Sequence, residues 1–166
     1  MYRIAHEFVN DWTRESDLSL KVQRALTDAS LAQKTDPEGR TLGDIAWHMV
    51  IMIGLTGSGV GLTIEAPPRG TPVPSAAAAI AEAYEKAKES LRQQATTSLT
   101  DEKLAEEVDV FNRRMSRAWA LHALIRHQIH HRGQMTVLMR GAGLAVPSVY
   151  GPSREESAAM RAKQGR

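Results

Sequence analysis

The segment from Ser116 to Gly141 restricts the fold of this chain most strongly, because it has helix-boundary residues at both ends and two histidines on one face. Serine is a favoured helix N-cap, and glycine commonly ends helices in the left-handed conformation. His127 and His131 are four residues apart and project from the same side of a helix. That side also carries Ala120, Leu124, Gln134 and Leu138. We therefore predict a helix from Ser116 to about Arg140 whose two imidazoles face the core.

Three other segments have apolar residues at the three- and four-residue spacing of amphipathic helices. The first covers about residues 1–29. The second begins at Thr41, which has the capping-box spacing with Asp44, and the third begins at Ser75, a favoured N-cap. Between the second and third of these helices, residues 57–74 are rich in glycine and proline and are predicted to form a long loop. Long loops often border functional sites, so we expect substrate to enter beside this one.

Two shorter helical segments complete the predicted architecture. Thr100 begins a short turn, and Ser153 precedes a short, exposed C-terminal helix. Aromatic residues make up only 5% of the chain, and no segment has a clear strand pattern. We expect an all-α protein in which residues 1–152 form a four-helix bundle and residues 153–166 form a C-terminal helix and tail. The spacing of apolar residues leaves the bundle topology open.

Charge and composition exclude several kinds of partner. Lys and Arg number 21 against 19 Asp and Glu, a net charge of +2, which is too small for a nucleic-acid-binding surface. Residues 45–64 carry no formal charge, but their glycines favour a buried helix that runs into a loop, so we expect no membrane partner. The first residues lack a secretory signal pattern, so we expect a cytoplasmic location. Because the chain contains no cysteine, any metal must bind nitrogen or oxygen.

A third histidine on the second predicted helix also faces inward. His48 shares a helix face with Ile45, Met52 and Leu55. Two imidazoles one turn apart and a third from another helix can converge on one ion and leave a coordination position open for water or substrate. The spacing alone allows two interpretations, a three-histidine metal site or three core histidines satisfied by hydrogen bonds.

Three segments of the chain resemble one known family. His127–Gln134 is similar to the H-x-x-x-H-R-G-Q signature of the DinB-like superfamily, also called DinB/YfiT-like. Leu42–His48 resembles the histidine motif on the second helix of that superfamily, and Val146–Pro152 resembles the segment after its last bundle helix. The resemblance extends over about residues 1–155.

The resemblance implies more than the residue pattern alone. It implies a four-helix bundle with an up-down-down-up order and a metal site formed by His48, His127 and His131. It also implies a homodimer and a role among thiol-dependent transferases and isomerases, some of which use bacillithiol or mycothiol. The expected cofactor is one divalent transition metal, zinc or nickel first, with iron also compatible with three imidazoles.

Residues next to the three histidines are candidates for supporting roles. Asp44 lies one turn before His48 and either orients that ring or caps the helix. Gln134 is a candidate to hydrogen-bond a metal-bound water, and His130 is a candidate to contact substrate or to pack at the edge of the core. Arg132 is expected to tie its helix to a neighbour, and Gly133 to permit close approach of another helix.

An apolar surface on the last long helix suggests self-association. Leu121, Ile125 and Ile129 extend around this helix away from the predicted core face. A symmetric contact with a second copy of the chain would bury them. We therefore expect a homodimer.

The absence of common hydrolase and phosphate-binding motifs limits the reactions expected of this chain. The chain has no H-E-x-x-H motif, no G-x-S-x-G element and no phosphate-binding glycine loop. A metal that activates a small thiol toward an electrophile needs only an open coordination position. We therefore expect a metal-dependent thiol transferase. A metal-dependent hydrolase and a non-catalytic dimer that binds a metal or small molecule are the alternatives.

Overall fold

Four long helices and a small β-hairpin make up most of the structure, a computed structural model that describes residues 1–165. The elements are α1 (Ala5–Gln23), a 3₁₀ helix (Asp28–Ala32), α2 (Leu42–Gly59), α3 (Ala77–Ser98), α4 (Asp101–Ala105), β1 (Glu107–Val110), β2 (Arg113–Ser116), α5 (Arg117–Gly141) and α6 (Arg154–Lys163). The helices α1, α2, α3 and α5 form a four-helix bundle, which confirms the predicted fold class. Residue Arg166, part of the predicted C-terminal tail, lies outside the described residues.

The bundle has the up-down-down-up order. Helix α1 packs against α3 and α5, and α2 packs against the same two helices. Helices α1 and α5 are parallel, because Tyr2 contacts His122 near the start of both helices and Glu15 binds Arg132 further along both. Contacts along α1 and α3 run in opposite directions, so this pair is antiparallel.

Helices α2 and α5 are antiparallel, and this pair carries the three histidines. Thr56 near the end of α2 and Ala120 near the start of α5 line one cavity. Ile45 near the start of α2 and Leu138 near the end of α5 line another. The side chain of Gln128 crosses between the helices and donates a hydrogen bond to the carbonyl oxygen of Met49 at 3.0 Å. The α2–α5 pair is therefore held in register at its centre.

The boundaries of the second and fifth helices follow local capping chemistry. Thr41 and Asp44 form the predicted capping box, and the Ser116 hydroxyl accepts a hydrogen bond from the backbone of Trp119. Ser153 likewise closes a capping box at the start of α6, which is exposed as predicted. These caps lie within a few residues of the helices they begin, so the sequence alone identified them.

The predicted end of α1 and the predicted N-cap of α3 differ from the structure. Helix α1 ends at Gln23 rather than near residue 29, because Thr27 caps a separate 3₁₀ helix. Helix α3 has Ala76 rather than Ser75 at its N-cap position. Its first backbone donor, on Ala77, is satisfied by the Asp28 carboxylate at 2.7 Å. A distant residue therefore performs the capping that was assigned to Ser75.

The β-hairpin is an element that the sequence analysis missed. Strands β1 and β2 pair in antiparallel register, with Glu107 opposite Ser116 at one end and Val110 opposite Arg113 at the other. Phe111 and Asn112 form the two-residue turn with φ of 53° and 60°, as type I′ hairpins require. The hairpin packs close to the end of α2, where a Cβ on Gly59 would lie 3.1 Å from Val110.

Helix α5 ends differently from the prediction. Gly141 is still helical, and Gly143 adopts the left-handed conformation with φ of 75°. The amide of Leu144 donates to Met139 O at 2.9 Å and that of Gly143 donates to Arg140 O at 3.1 Å, which is the Schellman pattern.

Two interpretations of residues on α5 are also corrected. A Cβ on Gly133 would meet nothing within 4 Å, so this glycine does not permit a close helix contact. Leu121 and Ile125 are buried within the chain itself, and Ile129 is partly buried against the core. They therefore give no argument for a dimer, which rests on the family resemblance alone.

No helix formed by residues 1–165 has both the length and the apolar character required to span a membrane. The uncharged residues 45–64 form most of α2 and the first part of the loop after it.

Candidate metal centre

The structure brings the three inward-facing histidines together between α2 and α5. The Nε2 atom of His127 lies 3.0 Å from Nε2 of His48 and 3.0 Å from Nε2 of His131. Ring centroids in this cluster are 4.3 to 4.9 Å apart, and the rings are steeply inclined to one another. We call these three residues the histidine cluster. One ring nitrogen from each histidine lies within 4.8 Å of the other two.

All three imidazoles are held in the neutral form. Burial lowers the pKa of His48 to about 4 and the pKa of His127 to about 3, and the positive charge of the nearby Arg40 acts in the same direction. Burial also lowers the pKa of His131, and its hydrogen bond to Gln134 partly opposes this. At pH 7 each ring therefore offers a nitrogen lone pair, which is the state that binds metal.

Hydrogen bonding within the cluster cannot satisfy all of its nitrogens. If the Nδ1 atom of His131 donates to the Gln134 amide oxygen at 2.6 Å, its Nε2 atom carries only a lone pair. A neutral His127 has one N–H, so its Nε2 can serve as donor to one neighbour at most. Its Nδ1 is buried without a partner among residues 1–165. The two 3.0 Å contacts therefore cannot both be hydrogen bonds between neutral imidazoles.

A divalent cation resolves this arrangement. Nitrogens that share a tetrahedral zinc ion at 2.0–2.1 Å lie about 3.3 Å from each other, close to the two 3.0 Å distances from His127 Nε2. Three imidazoles with no carboxylate or thiolate suit zinc, nickel or iron. The residues present thus fit a metal ion, and His48, His127 and His131 are the group that would hold it.

The supporting residues are placed differently from several expectations. The Gln134 amide oxygen contacts His131 Nδ1, so Gln134 orients a ring of the cluster instead of reaching its centre. The Asp44 carboxylate accepts a hydrogen bond from the Thr41 amide at 2.9 Å and acts as a helix cap. His130 is exposed, and its ring packs against that of His131 with centroids 5.1 Å apart.

Arg132, the residue after His131, ties three parts of the fold together. Its guanidinium is buried and donates to the Glu15 carboxylate at 2.7 Å, to the Glu15 carbonyl oxygen at 2.8 Å and to Ser19 Oγ at 3.1 Å. It also donates to the hydroxyl of Tyr150, in the segment after α5. The expectation that Arg132 joins its helix to a neighbour is confirmed.

Two cavities reach the histidine cluster. The first, which we call the hairpin cavity, has a volume of about 450 Å³ and extends to His127. Its lining comes from α2, the β-hairpin and the first half of α5, and includes Met52, Val110, Phe111, Met115, Trp119 and Leu124. Its walls are mainly apolar, the exposed Arg113 adds one guanidinium to its lining, and no carboxylate of the described residues lines it.

The second cavity, which we call the Arg40 cavity, has a volume of about 460 Å³ and extends to His131. Thr35, Asp36, Gly39 and Arg40 line it from the segment before α2. The sequence analysis did not single out Arg40, although its place one residue before the α2 N-cap puts it near His48. Neither cavity is lined by residues 57–74, so the entry of substrate beside this loop stays a prediction.

The fold and the site together define a class of protein, a four-helix bundle with a three-histidine cluster between its second and last long helices. Residues 1–165 match the DinB family. The chain therefore belongs to the DinB family, and the resemblance of its histidine motifs is confirmed.

Relatives and solved structures agree with this assignment. The chain is 44% identical over 156 residues to the uncharacterized protein YrdA of Bacillus subtilis, covering 94% of this chain and 93% of that protein. A DinB-like protein from Bacillus cereus is 43% identical and superposes with a TM-score of 0.86, covering 90% of this chain and all of that one. A second DinB-like protein, YjoA of Bacillus subtilis, is 15% identical with a TM-score of 0.65 over 82% of this chain and 92% of its own. The last similarity concerns the fold alone.

Proposed function

We propose that this protein binds one divalent transition metal through His48, His127 and His131 and transfers a small thiol to an electrophilic substrate. The convergence of three neutral Nε2 atoms between two cavities carries the proposal. Membership of the DinB family supports the metal, with zinc or nickel expected first and iron as a further candidate.

The reaction requires a nucleophile that is scarce at neutral pH. A divalent metal held by His48, His127 and His131 would lower the pKa of a thiol that reaches it, so that thiolate would be available at pH 7. The sulfur then forms a bond to the electrophilic carbon, the bond from that carbon to its leaving group breaks, and the leaving group departs with the electron pair. The thiol proton passes to solvent water, so no side chain of the hairpin cavity has to act as a base.

The chain itself positions and shields the reactants. Gln134 fixes the orientation of His131 from outside the cluster. The apolar walls of the hairpin cavity exclude water from the reacting carbon, which limits hydrolysis of the electrophile. We also propose that the protein acts in the cytoplasm, where low-molecular-weight thiols stay reduced, and that it forms a homodimer.

A metal-dependent hydrolase is the second candidate, and one observation favours it. Asp36 lines the same cavity as His131, and a carboxylate beside a metal site can serve as a general base for water. The hydrogen bonds of Asp36 within its own loop, from the Glu38 amide at 3.0 Å and the Thr35 hydroxyl at 3.3 Å, favour a structural role. Turnover of an ester without any thiol would identify the hydrolase.

Metal content and thiol dependence test the proposed function directly. Purified protein is expected to contain about one metal ion per chain by elemental mass spectrometry, and His127→Ala is expected to lose it. His6→Ala is the matched control, because His6 is exposed on α1 and is not part of the cluster. The metal-loaded protein is then assayed with several thiols and electrophiles. Metal binding without any rate increase would support the non-catalytic binding protein instead.

A further inference from the structure

The hairpin cavity follows the first half of α5 toward the histidine cluster. Its lining on this helix begins at Trp119 and ends at His127. These two residues are eight positions apart, which corresponds to about 12 Å along a helix. The volume of about 450 Å³ falls within the range of small-molecule sites. The cavity is therefore large enough for a whole molecule with an extended apolar body.

The β-hairpin places its two arginines on opposite faces. Residues directly opposite each other in an antiparallel pair share a face, and Arg113 lies opposite the buried Val110. Arg114 lies opposite Asp109 on the other face, where it also binds Glu107 at 2.6 Å. Both acidic residues of the hairpin are thus on the face of Arg114. Arg113 lies on the face that lines the cavity.

The guanidinium of Arg113 is the one charged group among the described residues that line the hairpin cavity. It is exposed and has no ion-pair partner among residues 1–165. Together with Trp119 it also lines an adjoining surface depression, to which no described carboxylate contributes. Trp119 marks the end of the cavity remote from His127, so the positive charge lies at the entrance and the apolar walls lie between it and the histidine cluster.

The turn of the hairpin places an aromatic ring at the same cavity at a conformational cost. Phe111 occupies the first turn position with φ of 53°, where asparagine, aspartate or glycine is favoured. A bulky side chain in the left-handed region is strained, and such strain is typical of functional sites. The ring of Phe111 lines the cavity although the residue is 53% exposed. An exposed aromatic ring beside an apolar cavity indicates a surface that a ligand covers.

We propose that the hairpin cavity binds an amphipathic carboxylate, a molecule with one carboxylate group and an aromatic or aliphatic body. Arg113 binds the carboxylate at the entrance, because its planar guanidinium matches the two carboxylate oxygens. The body extends past Phe111 and Trp119 along the apolar walls toward His127. The inference rests on the proposed function in one respect, since it names the class of molecule on which the histidine cluster acts.

Two ligands of nearly equal shape and different charge test the role of Arg113. The dissociation constants of 1-naphthaleneacetate and its neutral amide, 1-naphthaleneacetamide, are measured by calorimetry. Protein treated with a chelator is used first, so that the carboxylate has no metal to bind. The acid is expected to bind about fivefold more tightly than the amide, as for an exposed charge pair of good geometry. This preference is expected to disappear in Arg113→Gln and to shrink as salt screens the charge.

Arg69→Gln is the matched control for this measurement. Arg69 is exposed in the loop before α3 and lines neither the hairpin cavity nor the adjoining depression. Its replacement changes the net charge by the same amount and is expected to leave the preference for the acid intact. Equal affinity for acid and amide in wild type, or the same preference in wild type and Arg113→Gln, would overturn the inference.

Two further variants test the apolar part of the site. Phe111→Asn gives the turn a favoured residue, so it is expected to keep the thermal unfolding midpoint at or above that of wild type while it weakens binding of both ligands severalfold. Ala123→Phe fills the cavity and is expected to abolish binding of both, whereas Ala158→Phe on the exposed side of α6 is expected to change neither. Unchanged affinities in Phe111→Asn and Ala123→Phe would contradict a ligand in this cavity.

The binding measurements separate this inference from the proposed function. A preference for the acid that depends on Arg113, found in a protein whose metal-loaded form turns over no substrate with any thiol, would support the carboxylate site and refute the transferase. Turnover that is equally fast for carboxylate substrates and their amides, in wild type and in Arg113→Gln, would support the transferase and refute the carboxylate site.

Discussion

Replacing Arg132 with methionine is expected to destabilise the fold strongly, because it leaves a buried carboxylate without its partner. The Arg132 side chain is 2% exposed and that of Glu15 is 12% exposed. The guanidinium makes four hydrogen bonds, to the Glu15 carboxylate, the Glu15 carbonyl oxygen, Ser19 and Tyr150. Breaking a buried ion pair by removing one partner typically costs about 3–5 kcal/mol. We expect a loss of that size in the free energy of unfolding.

Urea denaturation of single and double variants measures this effect. The double variant Arg132→Met with Glu15→Leu removes both charges and is expected to recover at least about 2 kcal/mol of the loss, since no unpaired charge stays buried. Arg92→Met is the control, because the Arg92–Glu89 pair on α3 is exposed and should cost less than about 1 kcal/mol. A loss below about 1 kcal/mol for Arg132→Met, or a double variant no more stable than the single one, would refute this reasoning.

Three further predictions concern other parts of the molecule. Gly57→Ala should destabilise the fold by about 1–3 kcal/mol in thermal or urea unfolding, because the added Cβ overlaps a side chain of the following loop. Gly133→Ala should stabilise the fold by about 0.5–1 kcal/mol, because nothing lies near its added Cβ. The reverse order of stabilities would contradict the packing. Gln134→Leu should weaken metal affinity by about 10–100-fold in a chelator competition, since a ring of the cluster loses its hydrogen bond; unchanged affinity would exclude that role. The Arg140 guanidinium lowers the pKa of Glu155 to about 2, so the contribution of this pair to docking of α6 should be complete above pH 4.5 and lost as the pH falls toward 2. An NMR titration should find this pKa in wild type and a return toward 4.5 in Arg140→Ala. An ordinary pKa for Glu155 in wild type would contradict the contact.

The parts of the fold that depend on neighbouring residues were predictable from the sequence. Thr41, Ser116 and Ser153 each cap a helix through atoms a few residues away, and the sequence identified all three. The helical spacing of His127 and His131 likewise placed both rings on one face. These features require only the helical repeat and capping chemistry.

The errors arose where distant residues decide the outcome. Asp28 supplies the hydrogen bond for the start of α3, so the assignment to Ser75 failed. Leu121 and Ile125 are covered by other helices of the same chain, which the pattern of one helix does not reveal. Arg40 escaped notice because an exposed arginine gains significance only from the cavity that it lines. Tertiary contacts therefore determined what the sequence analysis missed.

The hairpin escaped prediction for a different reason. Its strands are four residues long, and its turn uses Phe111 and Asn112 instead of the Asn-Gly pair that signals such turns. Asparagine tolerates positive φ, so Asn112 after the short alternating segment Glu107–Val110 was the available signal. This short element forms one wall of the cavity that reaches His127.

The anomalous scattering of a metal-loaded crystal, recorded above and below the absorption edge of the metal, tests the central claim most directly. We expect one anomalous peak per chain, between α2 and α5, within about 2.0–2.1 Å of the Nε2 atoms of His48, His127 and His131. A peak located elsewhere, or no peak at the histidine cluster in protein that elemental analysis shows to carry metal, would contradict the account.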